Sequence, residues 1–144
     1  MPKPTVAECW VRIENWLAAH APAAVPLLPA GATAEAFAAA EATLGYPVPK
    51  DVRAFLSVHD GSGRLWLHDR GEFMSLADTL AAWDDEFDLW GDGGNDEWAN
   101  PRGPIRKAWF ARKWLPVLDA RTGDYVCVDL DPPRCDGAAT LAGA

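Results

Sequence analysis

The chain has 144 residues, a formal net charge of −8 and a hydrophobic fraction of 49%. This length suits a single domain covering residues 1–144, and the apolar content argues against intrinsic disorder. The acidic balance argues against nucleic-acid binding and against docking on anionic membranes, because both require a basic face. It favours solubility and encounters with basic partner proteins.

The N-terminus and the cysteines predict a cytoplasmic location. No stretch of the sequence approaches the ~18 consecutive apolar residues that span a bilayer. Residues 1–4 lead into a polar segment and lack the apolar core of a signal peptide. The three cysteines, Cys9, Cys127 and Cys135, cannot form a closed disulfide framework.

Four segments have the apolar spacing of amphipathic helices. The first begins at a capping box formed by Thr5 and Glu8, and the last carries the most regular apolar stripe in the chain. Trp10, Trp83 and Trp90 lie on these stripes and are predicted core residues. Trp16 also lies on the apolar face of the first helix. The predicted helices are residues 5–19, 34–44, 50–58 and 76–90.

Three segments are predicted strands because they are rich in residues that favour β-structure. Pro116 lies within the second strand, so it is expected at a sheet edge or at the start of the strand. Residues 119–124 form a predicted hairpin turn, and residues 105–113 are compatible with a short helix or a turn. The predicted strands are residues 65–67, 114–118 and 125–130.

A set of short motifs runs through about residues 10–132, and its most specific part is the stretch from Trp114 to Pro132. The motifs are Trp10 in the first helix, Glu41-Ala42-Thr43-Leu44-Gly45, Val48-Pro49, His59-Asp60-Gly61, Trp114-Leu115-Pro116, Gly123-Asp124 and Cys127-Val128-Asp129-Leu130-Asp131-Pro132. Each motif alone is weak, but their order and spacing are hard to obtain by chance. In these residues the chain resembles the SUKH superfamily, the Smi/Knr-like proteins that include a fungal regulator of cell-wall assembly and bacterial immunity proteins.

The resemblance implies an α+β fold in which helices pack on a mostly antiparallel sheet. It implies no catalytic activity and no obligatory cofactor. Members usually continue after the Asp-x-Asp-Pro turn with another strand and a final helix, whereas this chain ends at Ala144 and leaves residues 133–144 as a tail. A missing strand would open a sheet edge to a second copy, so we expect a monomer or a weak homodimer.

The motif residues are predicted to have structural roles. Asp60-Gly61 and Gly123-Asp124 are typical of turns, in which glycine supplies a positive φ and aspartate forms a cap. Asp129 and Asp131 share one strand face, where they can hold a hard cation or bond to local backbone N–H groups. The second interpretation is favoured, because aspartate readily makes such local bonds. The residues assigned structural roles are Trp10, Glu41, Asp60, Gly61, Trp114, Pro116, Gly123, Asp124, Asp129, Asp131 and Pro132.

No catalytic or metal-binding set emerges from the sequence. His20, His59 and His68 lie in three different segments, and Ser62 is not in a Gly-x-Ser-x-Gly motif. A metal-dependent hydrolase is a distant alternative, because such chemistry also needs a base, a nucleophile and converging ligands. Its metal-binding residues would be Asp60, Asp124, Asp129 and Asp131.

The strongest functional signal is the charge pattern. Residues 73–101 contain eight acidic residues and no Lys or Arg, whereas residues 102–114 contain five basic residues and no acid. Such a run is often a solvated surface, either open to water or paired internally with the basic stretch. In an immunity-like protein it can instead steer a basic nuclease toxin towards the surface. Trp98 either anchors an interface or folds back onto the core. The candidate partner-binding residues are Asp84, Asp85, Glu86, Asp88, Asp92, Asp96, Glu97 and Trp98.

The leading hypothesis is a non-catalytic protein-binding module, an immunity protein that neutralises a basic bacterial toxin by direct binding. It rests on the resemblance to the SUKH superfamily and on the acidic residues 84–97. The second hypothesis is a regulatory scaffold like the fungal member. Neither hypothesis requires a cofactor, a nucleic acid or a membrane.

Overall fold

Four α-helices and a three-stranded antiparallel sheet make up residues 1–133, the part of the chain that the structure, a computed structural model, describes. The fold class is α+β, as predicted, and the strands lie in the order β1-β2-β3. The expected tail beyond residue 133, Cys135 and the expected loss of a further strand and helix lie outside the described residues. The α-helices are α1 (Val6–His20), α2 (Ala34–Leu44), α3 (Lys50–Val58) and α4 (Leu76–Trp90), the 3-10 helices are Pro22–Leu27 and Asp96–Trp98, and the strands are β1 (Glu72–Phe73), β2 (Trp114–Asp119) and β3 (Tyr125–Asp129).

The helices begin where their capping residues predict. At α1 the backbone N–H of Thr5 donates to Glu8 Oε2 at 2.7 Å, and the N–H of Glu8 donates to Thr5 Oγ1 at 3.2 Å. The hydroxyls of Thr33 and Ser75 accept hydrogen bonds from the first turns of α2 and α4 in the same way. These bonds satisfy N–H groups that have no partner inside a helix, which is why short polar residues mark helix starts.

The core is organised around one backbone carbonyl, that of Arg112, which lies shortly before β2. Tyr46 Oη donates to this oxygen at 2.9 Å, and Trp83 Nε1 donates to it at 2.8 Å. The Arg112 guanidinium donates to the carbonyl of Leu44, the last residue of α2, at 3.3 Å. Elements from three parts of the chain therefore meet at one residue. The buried apolar residues of this core are Phe37, Ala40, Leu44, Tyr46, Val48, Leu56, Leu76, Trp83, Phe110 and Leu115.

The prediction of a strand at residues 65–67 is wrong. Ser62 holds this segment in a turn, because its Oγ donates to the carbonyl of Leu65 at 2.7 Å and its own carbonyl accepts from Leu65 N at 3.1 Å. The sheet position beside β2 is occupied instead by β1. A local side-chain hydrogen bond therefore outweighs the β-propensity of the apolar residues that follow it.

The expectation that Pro116 marks a sheet edge or a strand start is also wrong. Pro116 is the third residue of β2, which is the central strand. It is accommodated because a β-bulge lies between Pro116 and Leu118, and because β1 pairs with β2 only from Leu118 onward. The carbonyl of Pro116 accepts a hydrogen bond from Thr79 Oγ1 of α4 at 2.9 Å.

Trp16 does not lie in the core as its position on the apolar face of α1 predicts. The helix packs on α3 and buries Trp10 and Leu17, but its apolar face extends beyond the element that covers it. Trp16 is 58% exposed and stacks on the His20 ring with 4.5 Å between centroids. Trp10 is fully buried, as predicted, and Trp90 is half-buried at the edge of the core.

The segment from Asp60 to Ser62 fastens α3 to the start of α4. Asp60 Oδ1 accepts from the backbone N–H of Leu76, the first residue of α4, at 2.7 Å. Ser62 exchanges two hydrogen bonds with the backbone of Phe73, each 3.0 Å long. Between them Gly61 has φ +82°, and a Cβ at this position would lie 2.7 Å from the carbonyl oxygen of Phe73. Gly61 is therefore required both for its backbone conformation and for its lack of a side chain.

Replacing Gly61 with alanine should destabilise the protein more than the same change at Gly123. Both glycines have a positive φ, 82° and 89°, but an added Cβ at Gly123 meets nothing within 4 Å. Gly123→Ala should cost about 1–2 kcal/mol from backbone strain. Gly61→Ala should cost a further ~1–3 kcal/mol, because backbone atoms must move. Urea denaturation measures both free energies of unfolding, and equal costs would show that the close contact at Gly61 is unimportant.

Candidate partner-binding surface

Each of the four aspartates considered for a metal-dependent hydrolase takes part in a structural hydrogen bond or ion pair, that of Asp131 being with Arg106. Asp60 holds the start of α4, and Asp124 Oδ2 accepts from Thr122 Oγ1 at 3.0 Å. Asp129 Oδ1 accepts from the backbone N–H of Asp131 at 3.0 Å, which is the local bond predicted for this pair. Within residues 1–133, no group of three or more His, Cys, Asp and Glu side chains is arranged to hold a metal ion.

The other motif residues take part in packing and ion pairs. Glu41 of α2 forms an ion pair with Arg53 of α3, which joins two helices that are adjacent in sequence. The ring of Trp114 packs edge-on against Phe110, with 6.2 Å between centroids. Pro132 is exposed after the end of β3. These contacts explain how the motif residues specify the fold.

Four of the candidate acidic residues, Asp84, Asp85, Glu86 and Asp88, lie in the second half of α4. This is an unfavourable position, because the unpaired carbonyls at a helix C-terminus already carry partial negative charge. Asp84 and Asp88 are also four residues apart, a spacing at which like charges repel on a helix. The last turn of α4 contains no basic residue that would offset this charge.

The expected internal pairing of the acidic run with the basic stretch is not found as ion pairs among residues 1–133. The acidic loop contacts the basic stretch through one hydrogen bond, from the Trp109 backbone N–H to Asp96 Oδ1 at 3.1 Å. Arg106 pairs instead with Asp131, and Lys113 lies over the Tyr46 ring at 4.7 Å. Arg106, Lys113 and Arg112, which donates to the carbonyl of Leu44, are therefore engaged elsewhere.

The remaining candidates lie in the loop after α4. Asp92 Oδ1 accepts from the backbone N–H of Gly94 at 2.8 Å, which shapes the loop. Glu97 and Trp98 lie in the 3-10 helix, and both are exposed. Trp98 is 73% exposed. It therefore faces solvent, where an interface anchor would lie, and does not fold back onto the core.

A groove with a volume of about 610 Å³ lies between the C-terminal half of α4, the loop before β2 and strand β3. Its walls are mainly aromatic: Trp90 lies 5.8 Å from Trp109, measured between ring centroids, and Trp109 is itself 50% exposed. The charged residues that line it are all acidic, and they include Glu86 of the predicted site. We call it the acidic groove. Its lining residues include Glu86, Trp90, Trp109, Trp114, Asp124, Tyr125, Cys127 and Asp129.

The electrostatics of the acidic groove disfavour further negative charge. Burial, together with the neighbouring Asp85 carboxylate, raises the pKa of Glu86. Burial raises the pKa of Tyr125, and nearby carboxylates, among them Glu86, raise it further. Burial and the Glu86 carboxylate raise the pKa of Cys127 to about 12, so its thiol stays neutral. The groove thus has a negative potential that a cation would relieve.

Sequence reasoning missed the aromatic part of this surface. Trp109 lies in residues 105–113, whose charge was noted but whose aromatic residue was not assigned. Nearby Leu89 and Ile105 also line the groove and are exposed. Their polar neighbours in the sequence conceal the pattern, because the groove forms only when β3 packs beside α4 and the loop. The signal available in the sequence was the presence of two tryptophans, Trp98 and Trp109, in neighbouring acidic and basic segments.

A second groove, with a volume of about 1050 Å³, lies between α1 and residues 65–67. Trp16 and Trp66 line it, and Trp66 is 54% exposed. Arg12, His20 and Cys9 line it, and no carboxylate of the described residues does. We call it the α1 groove. Its residues lie in a predicted apolar helix face and a predicted strand, so this groove was not foreseen from the sequence.

The fold and these surfaces describe an α+β protein with two exposed aromatic grooves of unlike charge. The profile of the SMI1 / KNR4 family (SUKH-1) matches residues 31–140. The chain therefore belongs to this family, which confirms the resemblance drawn from its motifs. Helix α1, with Trp10, precedes the matched range.

A search of curated proteins finds no significant match. Within the described residues, no helix is both long enough and apolar enough to cross a membrane.

Asp60 should be replaceable by asparagine but not by alanine. In Asp60→Ala the backbone N–H of Leu76 loses its acceptor, which should cost about 1–2 kcal/mol of stability. Asp60→Asn keeps an oxygen in the same position and should retain most of that stability. Thermal and urea unfolding of the two variants measure the difference. If Asp60→Asn is as unstable as Asp60→Ala, the capping role of Asp60 is contradicted.

Neutralising opposite ends of α4 should have opposite effects on stability. Asp88→Asn removes a negative charge from the C-terminal end and should stabilise the protein by about 0.3–1 kcal/mol. Asp78→Asn removes one from the first turn, where it is favourable, and should destabilise by a similar amount. Urea denaturation at low ionic strength measures both. If Asp88→Asn also destabilises, the acidic helix end is not under electrostatic strain.

Proposed function

We propose that this protein is a non-catalytic protein-binding module, an immunity protein that neutralises a basic bacterial toxin by covering its active site. The observation that carries the proposal is the group of carboxylates at the C-terminal half of α4. They lie where the helix disfavours them, and within the described chain no Lys or Arg pairs with them. A basic partner would supply the missing positive charge.

The acidic surface and the acidic groove would act at successive stages of binding. Negative charge on α4 and on the following loop would attract a basic protein over distances comparable to the Debye length, about 8–10 Å. The exposed Trp98 and Trp109 would then be buried at the interface, since tryptophan is a frequent interface anchor. Covering the nucleic-acid-binding face of a nuclease toxin requires no chemistry from the bound protein.

Membership of the SMI1 / KNR4 family supports a binding role over a catalytic one. Two of the three histidines, His20 and His59, are also engaged in structural contacts. His59 lies between the carbonyl of Pro29 and the carboxylate of Glu14, at 2.5 and 2.6 Å, and His20 bonds to the Trp16 carbonyl. We propose a cytoplasmic monomer or weak homodimer that needs no cofactor, no nucleic acid and no membrane.

Binding to the protein encoded by the neighbouring gene tests this function. We expect that protein to be toxic when expressed alone and to be neutralised on co-expression. The double charge reversal Asp85→Lys with Asp88→Lys should weaken its binding at least tenfold, about 1.4 kcal/mol. Isothermal titration calorimetry and growth assays give the two readouts.

A matched control changes the same amount of charge elsewhere. Glu35→Lys with Asp69→Lys reverses two exposed carboxylates that lie outside α4 and the acidic groove. This control should bind within about twofold of the unchanged protein once circular dichroism has shown that it is folded. A neighbour that is neither toxic nor bound would overturn the proposal. Equal losses in the two double variants would move the interface away from α4.

A regulatory scaffold with several partners is the second candidate. The α1 groove favours it, because a second exposed aromatic surface of different charge suits a second partner. A scaffold would lose one partner with Trp109→Ala and another with Trp66→Ala, whereas an immunity protein would lose its toxin with the first change alone.

A further inference from the structure

We propose that the acidic groove receives an arginine side chain of the partner protein, stacked against its aromatic wall and paired with the groove carboxylates. This inference deepens the proposed function and rests on it for the identity of the partner as a basic protein. The physical features of the groove carry it.

The aromatic walls supply the first feature. Trp90 and Trp109 are tilted at 31° to each other with 5.8 Å between their centroids, and Trp114 and Tyr125 line the same groove. Several ring faces bordering one cavity attract a cation through their quadrupoles, most strongly when the cation is shielded from water. A volume of about 610 Å³ is sufficient for a complete long side chain.

The carboxylates supply the second feature. Glu86, Asp124 and Asp129 line the groove, and no Lys or Arg lines it among the described residues. Each of these carboxylates is without an ion-pair partner in the described chain, although Asp124 and Asp129 accept local hydrogen bonds. Burial is the main cause of the raised pKa values of Tyr125 and Glu86, and neighbouring carboxylates raise both further.

Arginine fits this combination better than lysine. Its guanidinium is planar, so it can stack on an indole ring while its edge donates hydrogen bonds to carboxylates. It is also less strongly hydrated than an ammonium group, so it is more easily transferred from water to an aromatic groove. An apolar side chain would fill the groove but would leave the three carboxylates without compensation.

Four blocked tripeptides, Gly-X-Gly, test the proposal without the partner protein. X is arginine, lysine, neutral citrulline or apolar norleucine. We would titrate each into the full-length protein and follow the indole N–H resonances of the tryptophans by NMR. The arginine peptide should shift those of Trp90, Trp109 and Trp114, with a dissociation constant of about a millimolar. The resonance of Trp66 in the α1 groove should not move.

The affinity order and the variants decide the outcome. Citrulline has nearly the shape of arginine but no charge, so its peptide should bind at least tenfold more weakly, and lysine should lie between them. Glu86→Gln should weaken the arginine peptide severalfold, and Trp109→Ala should abolish its binding, whereas Trp66→Ala should change nothing. Equal binding of citrulline, norleucine and arginine, or insensitivity to both groove variants, would overturn the inference.

The peptide assay also separates failure of this inference from failure of the proposed function. Arginine-selective binding in the groove without any toxin partner would leave the inference standing and remove the immunity function. A toxin that is bound and neutralised, together with an arginine peptide that binds no better than citrulline, would do the reverse.

Discussion

The carbonyl oxygen of Arg112 is the constraint on which the rest of the fold depends. Two buried donors, Tyr46 Oη and Trp83 Nε1, share this acceptor. Each would lose about 1–3 kcal/mol of stabilisation if it were buried without a partner, so the three groups must meet. That requirement fixes the chain just before β2 against the middle of α4, while the Arg112 side chain holds the end of α2 at Leu44.

The same anchor determines how rigid the candidate surface is. Trp83 is the last residue of α4 before the acidic series, and its ring stacks on Phe87 one turn later, with 5.6 Å between centroids. Trp90 then contacts Trp109, which lies in the loop before β2, three residues before Arg112. The part of the groove wall formed by Trp90, Phe110 and Trp114 is therefore continuous with the core, whereas Trp109 comes from the loop before β2. A preorganised surface of this kind loses little side-chain freedom on binding, so more of the contact energy appears as affinity.

The helices could be predicted from the sequence because their signals are local, and the fold class because the motifs resemble those of a known family. Capping residues such as Thr5 and Ser75 act within one turn, and the apolar stripe of α4 is read from adjacent residues. The errors concern interactions between distant parts of the chain. Pro116 is tolerated in a central strand because of a bulge and a short neighbour, neither of which its own segment reveals. Trp16 is exposed because α3 does not extend far enough to cover it. The charged half of the candidate site was therefore predictable, whereas its aromatic half required the tertiary structure.

The two grooves differ mainly in charge, and this difference determines which of them a basic partner meets first. The charged groups lining the acidic groove are carboxylates, whereas those lining the α1 groove within the described chain are Arg12 and His20. A unit charge about 4 Å from a carboxylate gains roughly 1 kcal/mol in bulk water and about 4 kcal/mol near a protein surface. Three carboxylates around one cavity thus favour a cation, and Arg12 opposes it at the other groove. Apolar surface suits both grooves to binding, but only charge makes one of them selective, and that charge comes from Glu86 of α4 together with Asp124 and Asp129 at either end of β3.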